Sequence, residues 1–188
     1  MASYYSYKEL SELGLKSFGE NVLISKKASI YTPDQISIGS NVRIDDFCLL
    51  VGNIKLGNYI HVSPYASIHG TGGGSVTMED FTGLSSYCTI YASSDDYGGD
   101  YLTNPTVEEK YKKTIFSDIV LERYSTLGLH SVLLPFSYLS EGVALGAMSL
   151  AKSHLEAWGI YVGVPCRRIK ERSKGCKELE KQFLSANH

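Results

Sequence analysis

Along most of the 188-residue chain a large aliphatic side chain returns at every sixth position. Ile38 opens IGSNVR and Ile44 opens IDDFCL; Leu56 opens LGNYIH and Val62 opens VSPYAS; Met78 opens MEDFTG and Leu84 opens LSSYCT. Farther along, Leu121 opens LERYST, Leu127 opens LGLHSV, Leu139 opens LSEGVA and Leu145 opens LGAMSL. The fifth residue of each hexad is usually small or short (Val42, Cys48, Ile60, Ala66, Thr82, Cys88, Ser125, Ser131, Val143 and Ser149), while polar side chains gather at the other positions. An α-helix would repeat near 3.6 residues and an ordinary strand near 2, so a period of six belongs to neither. From Ile38 to Leu56, and again from Leu121 to Leu139, is 18 residues, or three hexads. The pattern predicts an all-β, triangular parallel β-helix in which each hexad supplies one short strand and the first and fifth residues point inward.

Two interruptions break the register. Leu56 to Met78 spans 22 residues, and the surplus falls in GTGGGS, Gly70 to Ser75, where glycine permits a bulge at a corner. A longer insertion, about residues 92–117, leaves the stack altogether; long loops on rigid solenoids tend to carry function. At the N-terminus, Ser6 and Glu9 have the spacing of a capping box for a short helix ending near Gly14. At the other end, ERSKGCKELEKQFL reads as an amphipathic helix with Leu179, Phe183 and Leu184 on one side. The expected organisation is a capping helix in 1–17, a β-helix in 18–168 with its external loop, and a C-terminal helix in 169–188.

A net charge of -2 offers no footprint for nucleic acid or an anionic membrane, and neither partner is expected. No stretch reaches the ~18 apolar residues of a membrane span, nor does MASYYSYKEL read as a secretory signal, so a cytoplasmic protein is expected. Cys48, Cys88, Cys166 and Cys176 form no CxxC pair and have no histidine at metal spacing, which indicates reduced thiols and no metal site. The external loop opens with YASSDDYGGDY, Tyr91 to Tyr101, where three aspartates, three tyrosines and two glycines fall within eleven residues. That composition fits neither a strand nor a helix interior, and it makes this segment the first candidate for a ligand-facing lip.

The hexads, the external loop and the terminal GVPCRRIK together resemble the left-handed β-helix, or hexapeptide-repeat, acyltransferases, over about residues 18–170. The stretch GGGSVTMEDFTGLSSYCTIYASSDDYGGDYLTNPTV is similar to the branch that acylates nucleotide-linked amino sugars for surface polysaccharides such as O-antigen or capsule. The resemblance implies acetyl-coenzyme A as donor, the amine of a nucleotide-linked amino-dideoxy sugar such as dTDP-4-amino-4,6-dideoxyglucose as acceptor, no metal, and a homotrimer with active sites between subunits. It also implies that coenzyme A runs along the C-terminal coils, with pantetheine beside Gly128, His130, Gly146, Ala147 and Val164 and phosphates near Arg167, Arg168 and Lys170. Guanidinium geometry suits phosphate, and small residues let an extended chain approach a flat face. One departure is plain: related sugar O-acetyltransferases carry a histidine shortly after the Ile-Tyr that leaves the coil, whereas Ile90-Tyr91 is followed here by Ala92, Ser93, Ser94 and Asp95.

Acyl transfer to an amine needs a neutral nucleophile, a thioester in reach, a donor to the developing oxyanion and a path for the proton. His69, which follows the inward Ile68 and so points outward, is the candidate base; Asp95 is the candidate partner of the amine. Asp96, Tyr91, Tyr97 and Tyr101 are expected to face the sugar or its base, and Ser85 and Ser86 its hydroxyls or phosphates. Alternatives remain on the same residues: surface solvation for the aspartates, loop anchoring for the tyrosines, and ordinary surface hydrogen bonding for His69. Two other functions fit the pattern, a sugar or polysaccharide O-acetyltransferase on this fold, or a non-catalytic β-helix that binds a partner through the loop.

Overall fold

A computed structural model describes residues 4–186. The ends of the expected terminal segments, 1–3 and 187–188, lie outside the described residues. Short strands, two to five residues long, alternate with tight corners and stack in register into three sheets of seven, eight and six strands. One coil can be followed through Ile54–Leu56, Ile60–Val62 and Ser67–Gly70, whose strands pair in parallel with Val76–Met78, Gly83–Leu84 and Thr89–Tyr91 of the next. The result is a parallel β-solenoid of about seven turns.

The inward positions are those the hexads mark. Ile44, Leu56, Val62, Met78, Leu84, Leu121, Leu127, Leu139 and Leu145 are buried, as are the fifth-position Val42, Cys48, Ala66, Cys88 and Val143. Three faces converge on a narrow interior, so each layer admits one large aliphatic and one short residue per face. Burial pushes the Cys48 thiol up to about 11 and raises that of Cys88, which keeps both as core thiols. In the last coils serine takes the fifth position. Its hydroxyl is satisfied by carbonyls of adjacent backbone: Ser131 donates to Gly146 O at 2.8 Å, and Ser137 to Ala151 O at 2.9 Å.

The corners impose a different requirement, because the chain must turn through the left-handed region at each. Phe47, Tyr65, Tyr87 and His130 do so with φ of 62°, 64°, 61° and 56°, a conformation bulky residues rarely adopt. Repetition in register offsets the cost: the four rings stack at centroid separations of 5.0, 4.8 and 4.6 Å, close to the strand-to-strand repeat. A second ladder, Tyr59, Phe81, Tyr124 and Trp158, runs up another corner.

Both ends are closed. Helix α1, Tyr7–Glu12, carries the expected capping box: the Ser6 N–H donates to the Glu9 carboxylate at 2.7 Å and the Glu9 N–H to Ser6 Oγ at 3.4 Å. The C-terminal segment differs from the expected helix over 169–188. Residues Arg167–Glu171 form a strand that turns back antiparallel onto Gly159–Val162, and helix α2 occupies only Cys176–Ser185. The final coil otherwise leaves an open sheet edge, and the returning strand satisfies its backbone groups. Helix α2 then lies across the second aromatic ladder, Phe183 meeting Tyr59 edge-on at 5.3 Å, while Glu180 is bonded to Arg123 and Tyr124.

Because Ile90 is fully buried in the coil that carries the external loop, Ile90→Ala is expected to cost about 2–5 kcal/mol of unfolding free energy, read as a lower urea midpoint.

Candidate functional site

The chain leaves the solenoid after Tyr91 and returns at Ile119. At the neck the Ser117 N–H donates to Ala92 O at 3.0 Å, and the strands Ser93–Asp95 and Thr114–Phe116 run antiparallel out of the stack. The glycine bulge of the preceding coil makes room for this hairpin. A Cβ at Gly74 would fall 2.5 Å from Ser117 O and 2.8 Å from Ala92 O, and one at Gly72 would fall 2.6 Å from Ser93 Cβ. The two interruptions in the repeat are therefore one feature, a hairpin seated on a side-chain-free ledge.

Between hairpin and coil face lies a cavity of about 650 Å³, lined by Tyr91, Ser93, Ser94, Asp95, Tyr97 and Lys112 together with Thr71, Thr114, Pro105 and Leu134. Asp95, Tyr91 and Tyr97 all contribute to this lining. Asp95 Oδ2 accepts the Asn104 N–H at 2.8 Å, and Thr71 Oγ1 and Ser93 Oγ lie 3.1 Å apart. An adjoining depression of about 420 Å³, reached past Thr71 and Gly72, is lined by Thr32, Gln35, Gly52 and Asn53.

His69 is directly below Tyr91 in register, and its imidazole stacks on the Tyr91 ring at 3.9 Å and 8°. Half-burial pushes its imidazole below the ordinary value of 6.5. A ring that resists protonation is neutral near pH 7 and free to accept a proton. It packs behind the Tyr91 wall and is not itself part of the cavity lining.

Other expected residues lie elsewhere. The Asp96 carboxylate accepts the Gly98 N–H at 2.9 Å and faces the Lys113 ammonium at 3.8 Å, and so is engaged in shaping the loop. Tyr101 sits under the Lys113 ammonium at 5.5 Å, outside the cavity lining. Ser85 and Ser86 occupy the corner before the strand Thr89–Tyr91, whereas the cavity opens at the corner after it. Within one chain, a full strand separates them from Asp95.

Farther along that first corner, His130 and Val164 line an apolar depression of about 320 Å³ with Val132, Met148, Ser149 and Leu150. Gly128, Gly146 and Ala147 are its neighbours in sequence, and the two glycines are already required by the stack. A Cβ at Gly128 would come within 2.5 Å of Ala147 N, and one at Gly146 within 2.7 Å of the Val162 side chain. Arg167, Arg168 and Lys170 lie exposed on the returning strand, Arg168 paired with Glu171 at 2.7 Å. Among the described residues no group of three or more His, Cys, Asp or Glu side chains is placed to hold a metal ion.

Sequence reasoning passed over Thr71, Lys112, Thr114 and Leu134. Leu134 could have been found: it follows Leu133 as Tyr91 follows Ile90, so the repeat puts both in one outward column. Lys112 and Thr114 had no such signal, since the loop has no repeat.

Titration of the His69 ring protons by NMR is expected to give a pKa below 6.5. The unfolded imidazole binds a proton more readily than the folded one, so stability is complete above the unfolded value and falls as the pH drops below it. Urea unfolding between about pH 5 and 7 should show that slope, and His69→Asn should flatten it.

No family model matches the chain. Over 184 residues, 96% of this chain and 95% of the relative, it is 44% identical to the dTDP-4-amino-4,6-dideoxy-D-glucose acyltransferase of Escherichia coli. A weaker likeness, 24% identity over 166 residues covering 84% of this chain and 80% of the relative, links it to the putative lipopolysaccharide biosynthesis O-acetyl transferase WbbJ of Escherichia coli strain K12. Among solved structures, AntD, an N-acyltransferase from Bacillus cereus, in complex with dTDP and 3-hydroxybutyryl-CoA, superposes with a TM-score of 0.96 at 46% identity, covering 99% of this chain and 98% of that one. A serine-to-alanine variant of AntD in complex with dTDP-4-amino-4,6-dideoxyglucose and coenzyme A gives a TM-score of 0.97 at the same 46% identity, with 99% and 100% coverage.

Proposed function

As this chain belongs to the dTDP-4-amino-4,6-dideoxy-D-glucose acyltransferase family, we propose that it transfers an acyl group, acetyl in the first instance, from acyl-coenzyme A to the C4 amine of that nucleotide sugar. The observation that carries the reading is Asp95: a carboxylate on the wall of a sugar-sized cavity that Tyr91 and Tyr97 also line, held by a backbone N–H. A carboxylate there attracts the ammonium form of an amino sugar and orients it. Once deprotonated, the amine attacks the thioester carbonyl directly; the C–N bond forms, the C–S bond breaks, and the thiolate leaves to be protonated as free coenzyme A. The amine proton passes to Asp95 or, carried by solvent around Tyr91, to the neutral His69. An amine is a stronger nucleophile than a hydroxyl, so no covalent acyl-enzyme and no strong base pair is required.

The acyl donor is proposed to lie along the apolar depression at His130 and Val164, with its phosphates toward Arg167, Arg168 and Lys170. Ser85 and Ser86 reach the acceptor only if a second subunit brings its Asp95 loop to that corner. A homotrimer with intersubunit sites would do so, and the exposed ladder Phe47, Tyr65 and Tyr87 supports it as apolar surface in want of a cover. Both substrates are activated cytoplasmic metabolites, which supports a cytoplasmic enzyme whose product feeds a surface polysaccharide such as O-antigen.

Release of free thiol from acetyl-coenzyme A is the direct assay, offering dTDP-4-amino-4,6-dideoxyglucose, its 3-amino isomer and a panel of hydroxyl acceptors, with 3-hydroxybutyryl-coenzyme A as the second donor. Turnover confined to the 4-amino sugar is expected, and Asp95→Asn should lower kcat/KM by about a hundredfold. Acylation of a hydroxyl acceptor with the amino sugars inert would move the chain to the O-acetyltransferase reading.

A further inference from the structure

The cavity wall holds a positive charge that the mechanism above does not use. Lys112 is nine-tenths buried, its side chain 8% exposed, and it lines the same cavity as Asp95. Its ammonium pairs at 2.7 Å with Glu109, whose side chain is 87% exposed and whose carboxylate therefore remains largely hydrated. A buried ammonium is costly without a desolvated counter-charge. An exposed carboxylate three residues away on a loop is a poor permanent partner for it, yet a ready temporary one.

Backbone register says what distance the charge commands. Asp95 pairs with Thr114 across the hairpin, and Lys112, extended at φ -110° and ψ 160°, is two residues before Thr114. Alternation in extended chain therefore turns Lys112 and Thr114 to the same side, with an offset of about 6.6 Å along the strand. That offset is comparable to the span from C4 of a pyranose ring to the phosphorus on its anomeric oxygen. A carboxylate and an ammonium that line one cavity from backbone positions with that offset suit a ligand with an amine at C4 and a diphosphate at C1.

We propose that Lys112 is the diphosphate anchor of the nucleotide-sugar site, exchanging Glu109 for a phosphate oxygen when the substrate binds. This rests on the acceptor assigned above. Glu109 acts as a placeholder that pairs with the ammonium while the site is free, and it swings into solvent when displaced. Because Asp95 fixes the amine and Lys112 the diphosphate, the pair selects a 4-amino over a 3-amino sugar by length, with no contact to the ring hydroxyls needed. Lysine suits the task as a compact point charge for phosphate.

The test is calorimetric titration of the full-length protein with dTDP, thymidine and coenzyme A, for wild type, Lys112→Met, Lys112→Arg and Glu109→Gln. Losing a charged hydrogen bond to phosphate should weaken dTDP about tenfold or more in Lys112→Met. Thymidine and coenzyme A should bind that variant as they bind wild type, and Lys112→Arg should recover most of the dTDP affinity. Glu109→Gln removes a competitor, so it should bind dTDP as tightly as wild type or more tightly. If the ion pair serves only to fold the loop, Lys112→Met and Glu109→Gln weaken dTDP alike, and the proposal fails. It fails equally if Lys112→Met loses coenzyme A in place of dTDP, or loses neither. Wild-type protein that binds no dTDP at all would overturn the acceptor assignment itself, a result distinct from binding that ignores Lys112.

Discussion

Everything in this molecule is referred to one distance, the separation of hydrogen-bonded strands, about 4.8 Å. Each coil must sit at that height above the last, because its N–H and C=O groups have no other partners than those of the neighbouring coils. The interior then has a fixed cross-section, which accounts for the restriction of the fifth hexad position to short side chains from Val42 to Ser149. The corners inherit the same spacing. Left-handed φ at Phe47, Tyr65, Tyr87 and His130 is tolerable because each strained ring lands on the one below, at a separation already near the favourable stacking distance.

A stack this regular has no natural concavity, so a binding site has to be added to it. The solution here is a hairpin that departs from a corner, with the coil beneath it stripped of side chains at Gly72, Gly73 and Gly74 so that the neck can lie flat. Rigidity follows from that seating: the neck is tied by Ser117 to Ala92, by Ser93 beside Thr71, and by Ser75 to Asp118 at 3.0 Å. Asp95 ends one strand of the antiparallel pair and Lys112 lies two residues before the other, so the hairpin register relates them. Residues on strands hold geometry more closely than residues on loop tips.

Charge is distributed along the site with the same economy. His69 loses solvent to the Tyr91 ring and so stays neutral near pH 7, while the Asp95 carboxylate accepts the Asn104 N–H. The other acidic groups of the loop opening are used locally, Asp96 in a turn and in its ion pair with Lys113. Of two adjacent aspartates, then, the one at the end of the strand lines the cavity and its neighbour does not.

The sequence by itself determined the solenoid, the residues that fill it, the capping box at Ser6 and the point of departure at Tyr91, because all of these are written in a repeat of six or in spacings between near neighbours. It also marked Asp95, Tyr91 and Tyr97, since a cluster of carboxylates and tyrosines inside an insertion is visible without coordinates. It placed both Asp95 and Asp96 at the ligand, whereas in the fold Asp95 lines the cavity and Asp96 is engaged with Gly98 and Lys113. Residues 169–171 of the returning strand Arg167–Glu171 fall within the expected helix because the strand's role is to cover an open edge, a requirement of the last coil and not of the segment. Lys112 was invisible for the same reason. Its burial, its exposed partner and its place in the cavity that Asp95 also lines arise from folding the loop back on itself, and a shared cavity between positions 17 residues apart in a non-repeating segment exists only once the tertiary structure has formed.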